Sequence, residues 1–105
     1  MHQYALLVKN DDTPPEDPNQ QFHEYSNWVK HLKQLGWAGG EALHGDAYRL
    51  NGRQNPEVEI HPLDKNDISG YFLFEAASLE EALDIAKTCP HLQYSGTLEL
   101  RDIFH

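Results

Sequence analysis

Two apolar runs of strand length, each followed by a helical pattern and then by another strand, constrain this chain more than any other feature. QYALLV over residues 3–8 and YFLFEA over residues 71–76 are apolar at consecutive positions. Runs of that kind suit strands buried on both faces. After the first comes KNDDTPPEDPN, whose prolines and acids cannot continue a strand. Asp17 is placed to cap a helix and Pro18 to occupy its first turn, where a missing N–H costs nothing. Phe22, Tyr25, Val29, Leu32 and Leu35 recur at spacings of three and four, which predicts a helix over about residues 17–35 with one apolar stripe. Gly36 is a natural stop. WAGGEAL, residues 37–43, reads as the next strand.

The second half repeats this plan. SLEE is a capping box in which Ser78 accepts from the Glu81 N–H and Glu81 reaches back to Ser78. Ala82, Leu83, Ile85 and Ala86 supply the buried side of a helix predicted over about residues 78–88, with Pro90 as its stop. TLELRDI alternates, so Leu98 and Leu100 face one way and Glu99 and Arg101 the other. Between the two halves lies an insert, residues 44–67. Its segments DAYRL and VEIHP form a hairpin around the turn signal of NGRQNP.

Strand–helix–strand twice predicts an α+β fold, a ferredoxin-like βαββαβ sandwich with a hairpin insert, as one domain over residues 1–105. Two helices cover one face of such a sheet. Leu6, Tyr71 and Leu73, with apolar neighbours in sequence, leave the other face in need of a cover. A second copy of the sheet is the economical one, so a homodimer is expected.

Charge narrows the partners. Lys and Arg number 8 against 17 Asp and Glu, a net charge of −9, which opposes nucleic acid and anionic membrane surfaces. No apolar run has the length of a membrane span, and MHQYALLVKNDD lacks the marks of a signal peptide. The single cysteine, Cys89, excludes an internal disulfide. A cytoplasmic protein is expected.

YALLV, GGEAL, GYFLFEAASLEEALDIAKTCP and GTLELRDI, in that order and spacing, resemble the YCII-related family in its DGPF-domain branch. The resemblance covers nearly the whole chain. It implies a ferredoxin-like α+β domain that dimerises sheet to sheet, a dimeric α+β barrel. The family has no single established activity. Some members are proposed to carry a His–Asp pair in a small pocket, and others are encoded near, or fused to, sigma factors. Where Asp-Gly-Pro-Phe is expected this chain has IHPL, residues 60–63, with Pro62 the one match.

Histidine titrates near neutrality and is the first suspect for proton transfer. The resemblance implies a reactive histidine early in the first helix, which is His23, and an aspartate after the second strand, which is Asp46. The bland reading of both is solvated surface. His44 and His61 flank the insert and converge with Asp46 and Asp64 if the hairpin forms. Their spacings are not those of zinc ligands, and no metal or cofactor is expected. Gly39 and Gly40 precede no helix, so they read as a bulge or as close packing against a helix rather than a phosphate loop. Cys89 reads as a buried, inert thiol. Trp28 and Trp37 read first as packing and second as pocket lining. The expected site is a small-molecule pocket between the first helix and the insert, lined by His23, Trp37, His44, Asp46 and His61. Two function classes fit: a lyase- or isomerase-like enzyme with proton transfer by His23 or His61 aided by Asp46, or a non-catalytic ligand-binding or regulatory domain, linked to sigma-factor regulation.

Overall fold

A computed structural model describes residues 2–10, 17–36, 38–43, 45–50, 52, 54, 57–62, 67–94 and 96–103. Along the chain run β1 (His2–Lys9), α1 (Pro18–Leu35), β2 (Ala38–Ala42), β3 (Ala47–Leu50), β4 (Val58–His61), β5 (Ile68–Ala76), α2 (Leu79–Ala86), a 3-10 turn (Pro90–Tyr94) and β6 (Leu98–Asp102). Asp17 caps α1: its Oδ1 accepts from the N–H of Asn19 at 3.0 Å and of Gln20 at 3.2 Å, with Pro18 opening the first turn. These bonds satisfy donors that a helix start leaves without an internal partner.

At the second corner the Ser78 hydroxyl accepts from Glu81 N–H at 3.2 Å, as the capping box requires. The Glu81 carboxylate instead takes the Ala77 N–H at 3.1 Å, not that of Ser78. Ala77 is the only residue between β5 and the cap, and the tight corner brings its amide to the helix start. The helix ends at Ala86, short of Thr88. Pro90 disfavours helical geometry at the preceding Cys89, and the Thr88 hydroxyl turns back onto the Ile85 carbonyl at 2.6 Å. Pro90 thus keeps α2 from continuing and opens the 3-10 turn.

The main sheet has the order β2-β5-β1-β6, every neighbouring pair antiparallel. β1 and β2, joined through α1, run parallel with β5 between them, and β5 and β6, joined through α2, run parallel with β1 between them. The chain is therefore α+β, built from two interleaved strand–helix–strand units.

Register assigns the faces. Tyr4 lies opposite Phe74, Leu6 opposite Phe72 and Leu100, and Ala38 opposite Phe74. These even-numbered side chains join Trp28 and Leu32 of α1, Ala82 and Ala86 of α2 and Cys89 in one core. The Trp28 ring meets Phe72 edge-on at 4.9 Å, and its Nε1 donates to Thr88 Oγ1 at 2.7 Å, which ties α1 to the end of α2. Leu6 is completely buried on this side, so it does not belong to the open face where the continuous apolar run placed it. Tyr71 and Leu73 do lie on the open face, with Ala5 and Leu7 as their partners in β1.

Two predicted stripe members of α1, Phe22 and Leu35, are exposed, and so is Leu83 of α2. Burial concentrates on Trp28 and Leu32 in the later half of α1, with Tyr25 and Val29 packed beside them, and the two ends of its apolar row lie in solvent. Gly40 packs against strand β5, not against a helix. A Cβ there would lie 2.9 Å from Phe72 Cα and run into the Tyr71 carbonyl oxygen, and φ is +155°. The insert forms the expected hairpin, β3 with β4, as a separate two-stranded sheet. Among the described residues no helix is long and apolar enough to cross a membrane.

Candidate functional site

The hairpin returns to the main sheet between His61 and Asp67. β4 finishes at His61, and Pro62 follows. Asp67 stands immediately before β5, and its backbone carbonyl accepts from the Asn10 N–H beyond the end of β1. That bond fixes Asp67 against the sheet. His61 Nε2 lies 3.1 Å from Asp67 Oδ2, with the two side chains about a quarter and a third exposed. A carboxylate only accepts, so Nε2 carries the proton and Nδ1 carries the lone pair of the neutral imidazole. An imidazole whose tautomer is set by a carboxylate, with solvent access to both, is suited to take up and return a proton.

Of the residues singled out in the sequence that the structure describes, His61 is the one brought to a carboxylate. His23 is exposed on the first turns of α1, with the Phe22 ring edge-on at 6.1 Å. Asp46 is exposed just before β3, next to Ala47, whose partner in the register is His61. Among the described residues no hydrogen bond joins His23 to Asp46. Trp37, His44 and Asp64 lie outside the described residues. No three His, Cys, Asp or Glu side chains among the described residues come together as a metal site would require.

In the sequence Asp67 carries no local mark beyond closing the insert. The available signal was topological. A hairpin inserted between neighbouring strands must bring its exit back to the sheet, so the ends of the β4–β5 connection approach each other.

A second histidine is structural. His91 is buried, and its Nε2 donates to the Lys9 carbonyl at 3.0 Å, holding the 3-10 turn to the end of β1. Gly96 lies against the ring so closely that any Cβ would strike it. Cys89 is buried as expected. Desolvation pushes its thiol up to about 11, opposed in part by a hydrogen bond from the His91 backbone. Such a thiol is protonated and unreactive at neutral pH.

The open face of the sheet is a different kind of surface. Ala5, Leu7, Tyr71 and Leu73 form its centre by register, each partly accessible. Glu41 and Glu99 flank the Tyr71–Leu7 row, Arg101 lies beside Ala5, and Lys9 pairs with Glu99 at 3.3 Å. An apolar centre with a charged margin has the layout of a protein contact. Compared with models of known protein families and with curated proteins, the chain matches none.

Proposed function

We propose that this chain is a ferredoxin-like domain of the YCII-related kind, in its DGPF branch, that pairs with a second copy through its open sheet face. Its activity is proton transfer on a small-molecule ligand, lyase- or isomerase-like, with His61 as general base and Asp67 orienting it. The observation that carries this reading is the 3.1 Å contact between His61 Nε2 and Asp67 Oδ2, with both side chains reached by solvent. It moves the His–Asp pair implied by the resemblance from His23 and Asp46 to the exit of the hairpin. His61 lies within IHPL, at the place of the family's namesake motif. The strand order and the two helices on one face support the ferredoxin-like assignment.

The test is solvent deuterium incorporation. The protein is incubated in D2O with a panel of small carbonyl and carboxylate compounds bearing acidic C–H bonds, and proton NMR follows loss of signal. The reading expects at least one compound to exchange faster than in buffer, with the excess abolished by His61→Ala. Exchange at the buffer rate for the whole panel, with no compound shifting the His61 imidazole signals, overturns it. Shifts without exchange favour the non-catalytic ligand-binding reading.

A further inference from the structure

The β3–β4 hairpin carries an apolar face that none of the other described residues covers. Tyr48 pairs with Ile60 and Leu50 with Val58, so all four side chains share one face of the hairpin. They are 66%, 66%, 60% and 56% exposed in that order. Together they offer on the order of 400 Å² of apolar surface, the size of the largest patch on a typical monomer. Two strands alone are marginally stable in water, so a hairpin without a core of its own needs a surface to lie on.

We propose that this hairpin is a dimerisation arm, and that its occupant is a second copy of this chain. The inference rests on the reading that two copies pair through the open sheet face, and it extends that contact. Shape supports it. The radius of gyration is 15.4 Å, where a compact domain of this length has about 13 Å. The shortest dimension is 18 Å against 44 and 39 Å, as for a thin two-layer body with a projection. The chain exposes 7527 Å², about a quarter more than a compact monomer of its mass.

Area and position point to the same occupant. A stable pair buries about 800 Å² per partner. Among the described residues the open face has four apolar side chains at its centre, each already partly covered by its neighbours, which supply only part of that area, and the arm adds to it. The hairpin leaves the sheet where β2 stops and β5 starts, and β5 carries Tyr71 and Leu73 of the open face. The arm therefore adjoins, along the chain, the strand that carries the paired surface. In a two-fold pair both arms are covered at once, and the contact closes on itself.

Sedimentation velocity at tens of micromolar protein tests this with the full chain. Four forms are compared: wild type, the arm variants Ile60→Asp and Val58→Lys, and the sheet variant Leu73→Arg. The substituted arm residues are more than half exposed, and far-ultraviolet circular dichroism confirms that each variant keeps its secondary structure. The expected result is a wild-type mass twice 12.1 kDa and at least a tenfold weakening of the dimer in either arm variant. A dimeric wild type that Leu73→Arg dissociates and both arm variants leave intact overturns the arm while sparing the sheet-face reading. Loss of the dimer in the arm variants alone, with Leu73→Arg still dimeric, overturns the sheet-face reading and with it the arm as an extension of that contact. A monomeric wild type overturns both.

Discussion

Replacing Gly40 by alanine tests how closely β2 approaches the middle of the sheet. The new Cβ would lie 2.9 Å from Phe72 Cα and overlap the Tyr71 carbonyl oxygen, both backbone atoms of a central strand that cannot swing aside. The residue would also keep φ near +155°, where a side chain costs about 1–3 kcal/mol. Forcing a methyl group into a filled space costs about 1–3 kcal/mol more. Gly40→Ala should therefore lose about 3 kcal/mol. Gly39 is the built-in control. It is the neighbouring residue of the same strand, and a Cβ there meets nothing within 4 Å. Gly39→Ala should gain about 0.4–1 kcal/mol by restricting the unfolded chain. With urea slopes of about 1–3 kcal/mol per molar, the two midpoints should differ by about 1–4 M. Both variants are measured at one protein concentration, because dimerisation links stability to mass action. Coincident midpoints would mean that β2 does not pack on β5 as described, and the reasoning would fail.

Other substitutions read other parts of the fold. Ser78→Ala removes the acceptor for Glu81 N–H and should cost about 1 kcal/mol in the same denaturation assay, while Ser78→Asp restores most of it. Thr88→Val strands the Trp28 indole N–H beside the core and should cost about 1–3 kcal/mol; in Trp28→Phe the same change should cost less, a coupling that a double-mutant cycle measures. The Cys89 thiol, raised from 9.0 to about 11 by burial, gives stability that is complete below pH 9 and is lost as pH rises through 11. That loss approaches about 2–3 kcal/mol in full, and a Cys89→Ala protein should lack this alkaline step in thermal melts.

Much of this architecture was legible because local signals agreed with the global pattern. Asp17-Pro18 and Ser78-x-x-Glu81 are chemical starts for helices, and both helices begin there. What remained hidden depends on which way a strand faces. Leu6 and Leu7 are both apolar, and only the register against Phe72 and Tyr71 sends one into the core and the other to the open face. Phe22 fits the helical period yet lies in solvent, because periodicity does not report where a helix overhangs its support. The partner of His61 was hidden for a similar reason. Asp67 is one of several acids in the insert, and its role comes from the backbone bond to Asn10 that fixes it beside the sheet. Nothing local marks His91 as a buried histidine.

The central claim, that a carboxylate sets the tautomer of a reactive imidazole, is tested most directly by nitrogen-15 NMR of the His61 ring in wild type and in Asp67→Ala. The Asp67 Oδ2 contact at 3.1 Å predicts, for the neutral ring, a single tautomer with its proton on Nε2 and a slowed N–H exchange. In Asp67→Ala that slowing should vanish and the two tautomers should mix. A wild-type His61 that carries its proton on Nδ1, or nitrogen shifts that do not respond to the loss of Asp67, would contradict the account.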